Sequence, residues 1–107
     1  VTSSAATETI VQTARATGID QYFLDFISGE EVAHNKPAPD IYLHSLAITQ
    51  AAASDTEVFE DAPTGIEAAA SAGIDVIVVP DWVPLDLQAR QLAVKIISDL
   101  KQAVALL

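Results

Sequence analysis

The chain has 107 residues, with Lys+Arg 5 against Asp+Glu 15 and a formal net charge of −10. That length holds one small domain, and the charge disfavours nucleic acid and anionic lipid, whose phosphates would be repelled. The absence of cysteine excludes a disulfide scaffold and a thiolate zinc site. Hydrophobic residues make up 50% but aromatics only 6%, and nineteen alanines account for much of the difference. Small apolar side chains suit helices packed closely on a sheet. The longest apolar run, Ile74 to Pro80, is broken by Asp75 and is too short to span a membrane. No basic segment leads into an apolar stretch, so no signal peptide is read and a soluble, cytoplasmic protein is expected.

The opening Val1-Thr2 reads as the tail of a strand, and no methionine precedes it. A larger protein with a preceding segment is therefore expected. Ser3 or Ser4 is expected to cap a first helix, with Ile10, Val11, Ala14 and Ile19 as its apolar stripe and Gly18 as a left-handed C-terminal cap. Tyr22-Phe23-Leu24 is expected to pack as a connector, before a short strand at Phe26-Ile27-Ser28. The acids Glu30-Glu31 read as a solvated loop. In Lys36-Pro37-Ala38-Pro39-Asp40, each proline fixes its own φ and restricts the residue before it. Pro39 can open a helix running through Ile41, Tyr42, Leu43 and Leu46 toward Ala52, with Asp40 complementing its positive end. A strand over 56–60 is followed by a helix opened by Pro63, with Ile66, Ala69, Ala70 and Gly73 on one face. Asp75-Val76-Ile77-Val78-Val79 is the clearest strand, β-branched as in a parallel sheet covered on both faces. Pro80 to Gln91 reads as irregular, with Trp82 a packing anchor. Val94 to Ile97 reads as a last strand, and Ser98 as the cap of a final helix. Strands alternating with helices predict an α/β fold with a parallel sheet.

In such sheets ligands bind at the C-terminal ends of the strands, and three places there carry chemistry. Thr2-Ser3-Ser4 sits at a strand-to-helix turn, where hydroxyls and free backbone N–H groups suit a phosphate, although capping is their ordinary role. Lys36 is the only basic residue between Arg15 and Arg90, and the prolines after it limit its freedom. A lysine is a compact cation that can neutralise a phosphoryl oxygen, although a lone lysine is ordinarily solvated. His34 reads as a loop histidine with no partner at metal-ligand spacing. Glu60-Asp61 places two acids at a strand end, and Mg2+ is commonly held by one or two carboxylates plus a substrate phosphate. Helix capping by Asp61 would explain one acid and leave Glu60 without a role. Asp81 could line the same cleft, although a turn role suits it better. Phosphate donors, a fixed cation and a magnesium pair are the equipment of phosphoryl transfer. No convincing nucleophile accompanies them.

Thr2-Ser3-Ser4, Asn35-Lys36-Pro37-Ala38-Pro39-Asp40 and Phe59-Glu60-Asp61-Ala62-Pro63-Thr64-Gly65-Ile66-Glu67-Ala68-Ala69 with Ala72-Gly73 resemble three ordered motifs of haloacid dehalogenase-like hydrolases. The branch they resemble is the β-phosphoglucomutase and sugar-phosphatase group. The resemblance implies a Rossmann-like core, of which residues 1–107 would be the C-terminal part. It implies that Thr2 and Ser3 bind the transferring phosphoryl group, that Lys36 balances the charge of nucleophile and phosphate, and that Glu60 and Asp61 hold magnesium. Thr2 and Lys36 would be its catalytic residues here. Asn35 stands where the family often has glycine. The family's first motif, Asp-x-Asp-Gly-Thr, with its nucleophile and general acid/base, is nowhere in the sequence, nor is the helical cap that reads the substrate. The family's first-motif strand lies between the second- and fourth-motif strands, so two half-sheets with open inner edges are expected. The implied protein is a magnesium-dependent phosphatase or phosphomutase acting on a small phosphorylated metabolite such as a sugar phosphate. The chain alone is expected to be inactive and to need a preceding segment or another chain to complete its sheet. Two other readings stay open: a non-catalytic α/β module binding phosphate or a partner, and a response-regulator-like fold, against which the Lys36 loop argues.

Overall fold

The computed structural model describes residues 1–106. Its elements in chain order are β1 (Thr2–Ser3), α1 (Thr7–Thr17), β2 (Ile27–Ser28), α2 (Asp40–Thr49), β3 (Glu57–Glu60), α3 (Pro63–Ser71), β4 (Asp75–Val78), α4 (Leu87–Leu92) and β5 (Lys95–Ile96). Short 3-10 turns lie at Asp20–Tyr22, Gly29–Glu31, Ala53–Asp55 and Leu100–Leu106. The α/β alternation with parallel strands is as the sequence predicts.

The strands form two sheets. β1 and β2 pair in parallel, with Thr2 opposite Ile27 and Ser3 opposite Ser28. β3, β4 and β5 form a parallel sheet in that order, with Glu60 opposite Val78. No ladder joins the two among the described residues, and β1 and β3 each have a strand partner on one edge only. A groove of about 380 Å3 runs between them, with Thr2, Ile27, Tyr42, Leu46 and Val58 in its walls. Helix α2 packs on β1, β2 and α3, and so ties the two sheets together.

The core is made by the close fit of α3 to β3 and β4. Ile66, Ala68 and Ala69 on α3 are wholly buried, against Val76 and Val78 on β4. Each large aliphatic side chain there contributes roughly 1.5–3 kcal/mol by leaving water, and alanines let the helix approach. In the N-terminal sheet β1 is half-buried and β2 buried, whereas β5 and two residues of β3 are exposed. The accessible surface is 6747 Å2, against about 5,700 Å2 for a compact protein of this mass.

Several local expectations are corrected. The N-cap of α1 is Ala6, not Ser3 or Ser4. Ser3 Oγ instead accepts a hydrogen bond from the Ala5 N–H at 3.1 Å, and Glu30 Oε2 accepts one from the Thr7 N–H at 3.2 Å. Glu30 therefore supplies the acceptor that the serines were expected to provide. Gly18 does end α1 in the left-handed region, at φ +74°. Tyr22 and Leu24 are exposed rather than packed, as is Trp82. Within the stretch read as irregular, Asp86 Oδ1 accepts from the Ala89 N–H at 2.7 Å and starts α4. The C-terminal helix is 3-10 rather than α, and the capping side chain there is Asp99, which accepts from the Lys101 N–H at 2.7 Å.

Candidate functional site

The site begins where β2 ends. Ser28 is fully buried, and its Oγ donates to the Ala5 carbonyl at 2.6 Å and accepts from the Glu30 N–H at 3.1 Å. Glu31 Oε2 accepts from the Ser28 N–H at 2.6 Å, closing a capping box. His44 on α2 meets the other Glu31 oxygen at 3.3 Å. The Ser28 N–H, and then His44, hold the Glu31 carboxyl below its ordinary range. Glu30 and Glu31 are exposed, as read from the sequence, and they also tie the loop to α1, β2 and α2. At Gly29 a Cβ would lie 2.5 Å from Asn35 Oδ1 and 3.2 Å from Ser4 Cα. Glycine there lets the chain after β2 lie close against the Ser4 backbone and the Asn35 side chain.

That loop is pinned at both ends. The Ala38 N–H donates to the Asn35 carbonyl at 3.0 Å. The His34 N–H and Nδ1 both meet Asp40 Oδ2, at 3.2 and 3.1 Å. The Lys36–Pro37 peptide is cis. Lys36 turns inward, its side chain only 12% exposed, and Nζ donates to Glu60 Oε1 at 2.5 Å. The ammonium also lies 5.2 Å from the centroid of the Tyr42 ring. Tyr42 on α2 is 4% exposed, and its hydroxyl donates to the same Glu60 oxygen. Burial first, and then the Glu60 charge, push the phenol well above the ordinary tyrosine range. The second Glu60 oxygen accepts from the Asp61 N–H at 3.3 Å. Gly65 backs this carboxylate so closely that a Cβ there would overlap it.

Asp61 differs from its neighbour. Ala62, not Asp61, is the N-cap of α3, and no side-chain cap bond is made. The Asp61 side chain is exposed and accepts no hydrogen bond from the described residues. It lines a cleft of about 500 Å3 at the ends of β3, β4 and β5, together with Glu60, Asp81 and Asp99. The donors there are all oxygen, which fits magnesium. No three ligating side chains converge among the described residues, so the protein would offer one or two carboxylates, as magnesium commonly takes.

Of the residues expected to share one cleft, Lys36 reaches Glu60, and Asp61 follows Glu60 in the chain and lines with it a cleft that Lys36 does not line. Thr2 and Ser3 are not joined to them by any side-chain hydrogen bond among the described residues. Thr2 Oγ1 shares a 3.1 Å bond with Ser45 Oγ on α2, in the groove between the sheets. Sequence reasoning missed Tyr42, whose place in an apolar run hid its hydroxyl. It also missed Gly65, whose small size is explained only by the carboxylate against it.

A family model described as haloacid dehalogenase-like hydrolase matches residues 1–79. The chain is 40% identical over 85 residues to the "Probable pseudouridine-5'-phosphatase" of Drosophila melanogaster, covering 75% of this chain and 37% of that protein. It is 39% identical over 61 residues to the phosphorylated carbohydrates phosphatase of Thermotoga maritima, covering 57% of this chain and 28% of that one. Among solved structures, CbbY from Rhodobacter sphaeroides in complex with phosphate superposes with a TM-score of 0.80 at 26% identity, over 90% of this chain and 44% of that one. The chain thus spans less than half the length of each.

Proposed function

The chain belongs to the haloacid dehalogenase-like hydrolases, and from that membership we propose that it supplies the charge-balancing part of a magnesium-dependent phosphoryl-transfer site. The observation that carries this reading is the inward Lys36–Glu60 pair at the strand ends, beside an Asp61 carboxylate with no structural bond. A lone solvated lysine and a helix-capping aspartate were the ordinary roles for these residues, and neither describes them. In this reading Lys36 neutralises the transferring phosphoryl group, and Thr2 and Ser3 at the end of β1 bind its oxygens. Asp61 holds magnesium, with Glu60 contributing from its second oxygen. Bound there, the ion would polarise phosphoryl oxygens and stabilise developing negative charge. The substrate class is a small phosphorylated metabolite, in keeping with the phosphatase names of the relatives. Phosphatase and mutase chemistry share these residues, and a sugar phosphate suits either. The formal charge of −10 disfavours nucleic acid or a membrane as partner. Among the described residues no helix is long and apolar enough to cross a membrane, and we read the protein as cytoplasmic.

The groove between β1 and β3 takes a parallel strand in this reading, supplied by another segment or another chain. Two open strand edges and the excess accessible surface support that. An Asp-x-Asp pair occurs nowhere in the 107 residues, so the nucleophile would arrive with that strand. The test is phosphate release from a panel of sugar phosphates, with and without magnesium, by the chain alone and by the chain completed with an Asp-x-Asp strand. Turnover only by the completed protein with magnesium is expected. Turnover by the chain alone, or none by the completed protein, would overturn the reading.

A further inference from the structure

We propose that Tyr42 is a positioning residue for Lys36: acting through Glu60, it fixes the ammonium in place and keeps part of its donor capacity free for a phosphoryl oxygen. The proposal rests on the phosphoryl-transfer reading of Lys36 and deepens it. Three mutual contacts carry it. Lys36 Nζ donates to Glu60 Oε1 at 2.5 Å, the Tyr42 hydroxyl donates to the same atom, and the Tyr42 ring lies 5.2 Å from the ammonium. A carboxylate oxygen has two lone pairs, and these two donors occupy them. The other oxygen is held by the Asp61 N–H, and Gly65 closes the space behind. The carboxylate cannot turn without breaking one of these contacts.

Core packing does not explain the hydroxyl. Tyr42 is 4% exposed and belongs to the apolar core, where phenylalanine would fill the same space with no polar atom to satisfy. Its partner is a charge on β3, not the nearest backbone. The hydroxyl also changes what Glu60 does to Lys36. Because the phenol shares Oε1, the carboxylate is not wholly committed to the ammonium. An ammonium has three donors, and Lys36 uses one of them among the described residues. The other two are left for a ligand. An aromatic face below a cation adds attraction without consuming a donor.

The experiment reads the order of the Lys36 side chain by NMR relaxation, together with steady-state kinetics, in the protein completed with its Asp-x-Asp strand. In the unaltered protein Lys36 should be as ordered as the core. Tyr42→Phe keeps the ring and removes the hydroxyl. It should loosen Lys36 and lower kcat by about tenfold, the scale of one hydrogen bond to a charged group, with KM changed less than about twofold. Glu60→Gln should loosen Lys36 at least as much, and it carries the test if Tyr42→Phe does not fold. A mobile Lys36 in the unaltered protein overturns the proposal. So does a Lys36 that stays equally ordered in Tyr42→Phe, or in Glu60→Gln where that variant carries the test. If Lys36 loosens as expected but Lys36→Ala leaves turnover unchanged, the clamp stands and the phosphoryl-transfer reading falls.

Discussion

The two half-sheets place their functional groups by different means. β3 and β4 pair over four residues, Glu57 to Glu60 against Asp75 to Val78, with α3 packed on them. There the ladder itself delivers Glu60 and Asp61 to the sheet edge. β1 and β2 pair over only two residues, and Phe23 and Leu24 beside them are exposed. On that side, position comes from side chains: Ser28 to Ala5, Glu31 to Ser28, Glu30 to Thr7, Asp40 to His34. A strong ladder needs few side-chain ties, and a weak one needs many. Lys36 belongs to the second kind of region and its carboxylate to the first, so their bond joins the two.

The most severe way to break that joint is Lys36→Ala. In the completed protein, turnover should fall by about two orders of magnitude or more. Stability to urea should fall by roughly 3–5 kcal/mol, because a buried carboxylate loses its counter-charge. A loss of stability with turnover intact would make the bond a structural joint and nothing else.

Asp61→Asn separates the ladder's delivery from its chemistry. The side chain makes no cap bond, so urea stability should stay within about 0.5 kcal/mol. The magnesium concentration for half-maximal activity should rise by at least about tenfold. Unchanged magnesium dependence with a sharply lowered melting temperature would withdraw the metal assignment.

Two pH experiments are finer probes, one for each means of support. The raised pKa of Tyr42 means that the unfolded chain loses the phenolic proton first. Stability from this group is complete below the ordinary tyrosine value of about 10 and is lost as pH rises past it. Tyr42→Phe should remove that part of the alkaline loss in urea melts taken up the pH scale. Glu31 has the opposite sign. Its lowered pKa gives stability above the ordinary glutamate range that disappears as pH falls through the lowered folded value. The effect should be small, since the group is exposed, and Glu31→Gln should flatten it.

Legibility in the sequence followed the same division. The β-branched run at β4, Pro63 at the first position of α3 and Gly18 after α1 announce themselves locally, and each stands where expected. Helix α4 did not, because Pro84 lies within the stretch as a breaker and the cap at Asp86 is a single residue. The ties of the N-terminal half were hidden for a different reason. Glu30 and Glu31 look like any solvated acids until Thr7 and Ser28 are seen beside them. Lys36, Glu60 and Asp61 were legible because strand-end charges are costly without a purpose. Tyr42 was not, because a hydroxyl within Ile41-Tyr42-Leu43 reads as apolar until its partner on another strand is known. The split into two sheets followed from resemblance alone, since no local pattern encodes an absent neighbour.

The bond between Lys36 and Glu60 spans 24 residues of chain, and this separation has a consequence for synthesis. The lysine emerges from the ribosome while its carboxylate is still inside, and until the carboxylate emerges it has water in place of that partner. Helix α2 lies between the two and carries Tyr42, so the ring that backs the ammonium also arrives before Glu60. Only when β3 emerges can the ammonium turn inward. The site therefore closes from its later-made side, and a nascent chain halted with Lys36 outside the ribosome and β3 still inside it would display to amine-reactive labels a lysine that the finished chain shields.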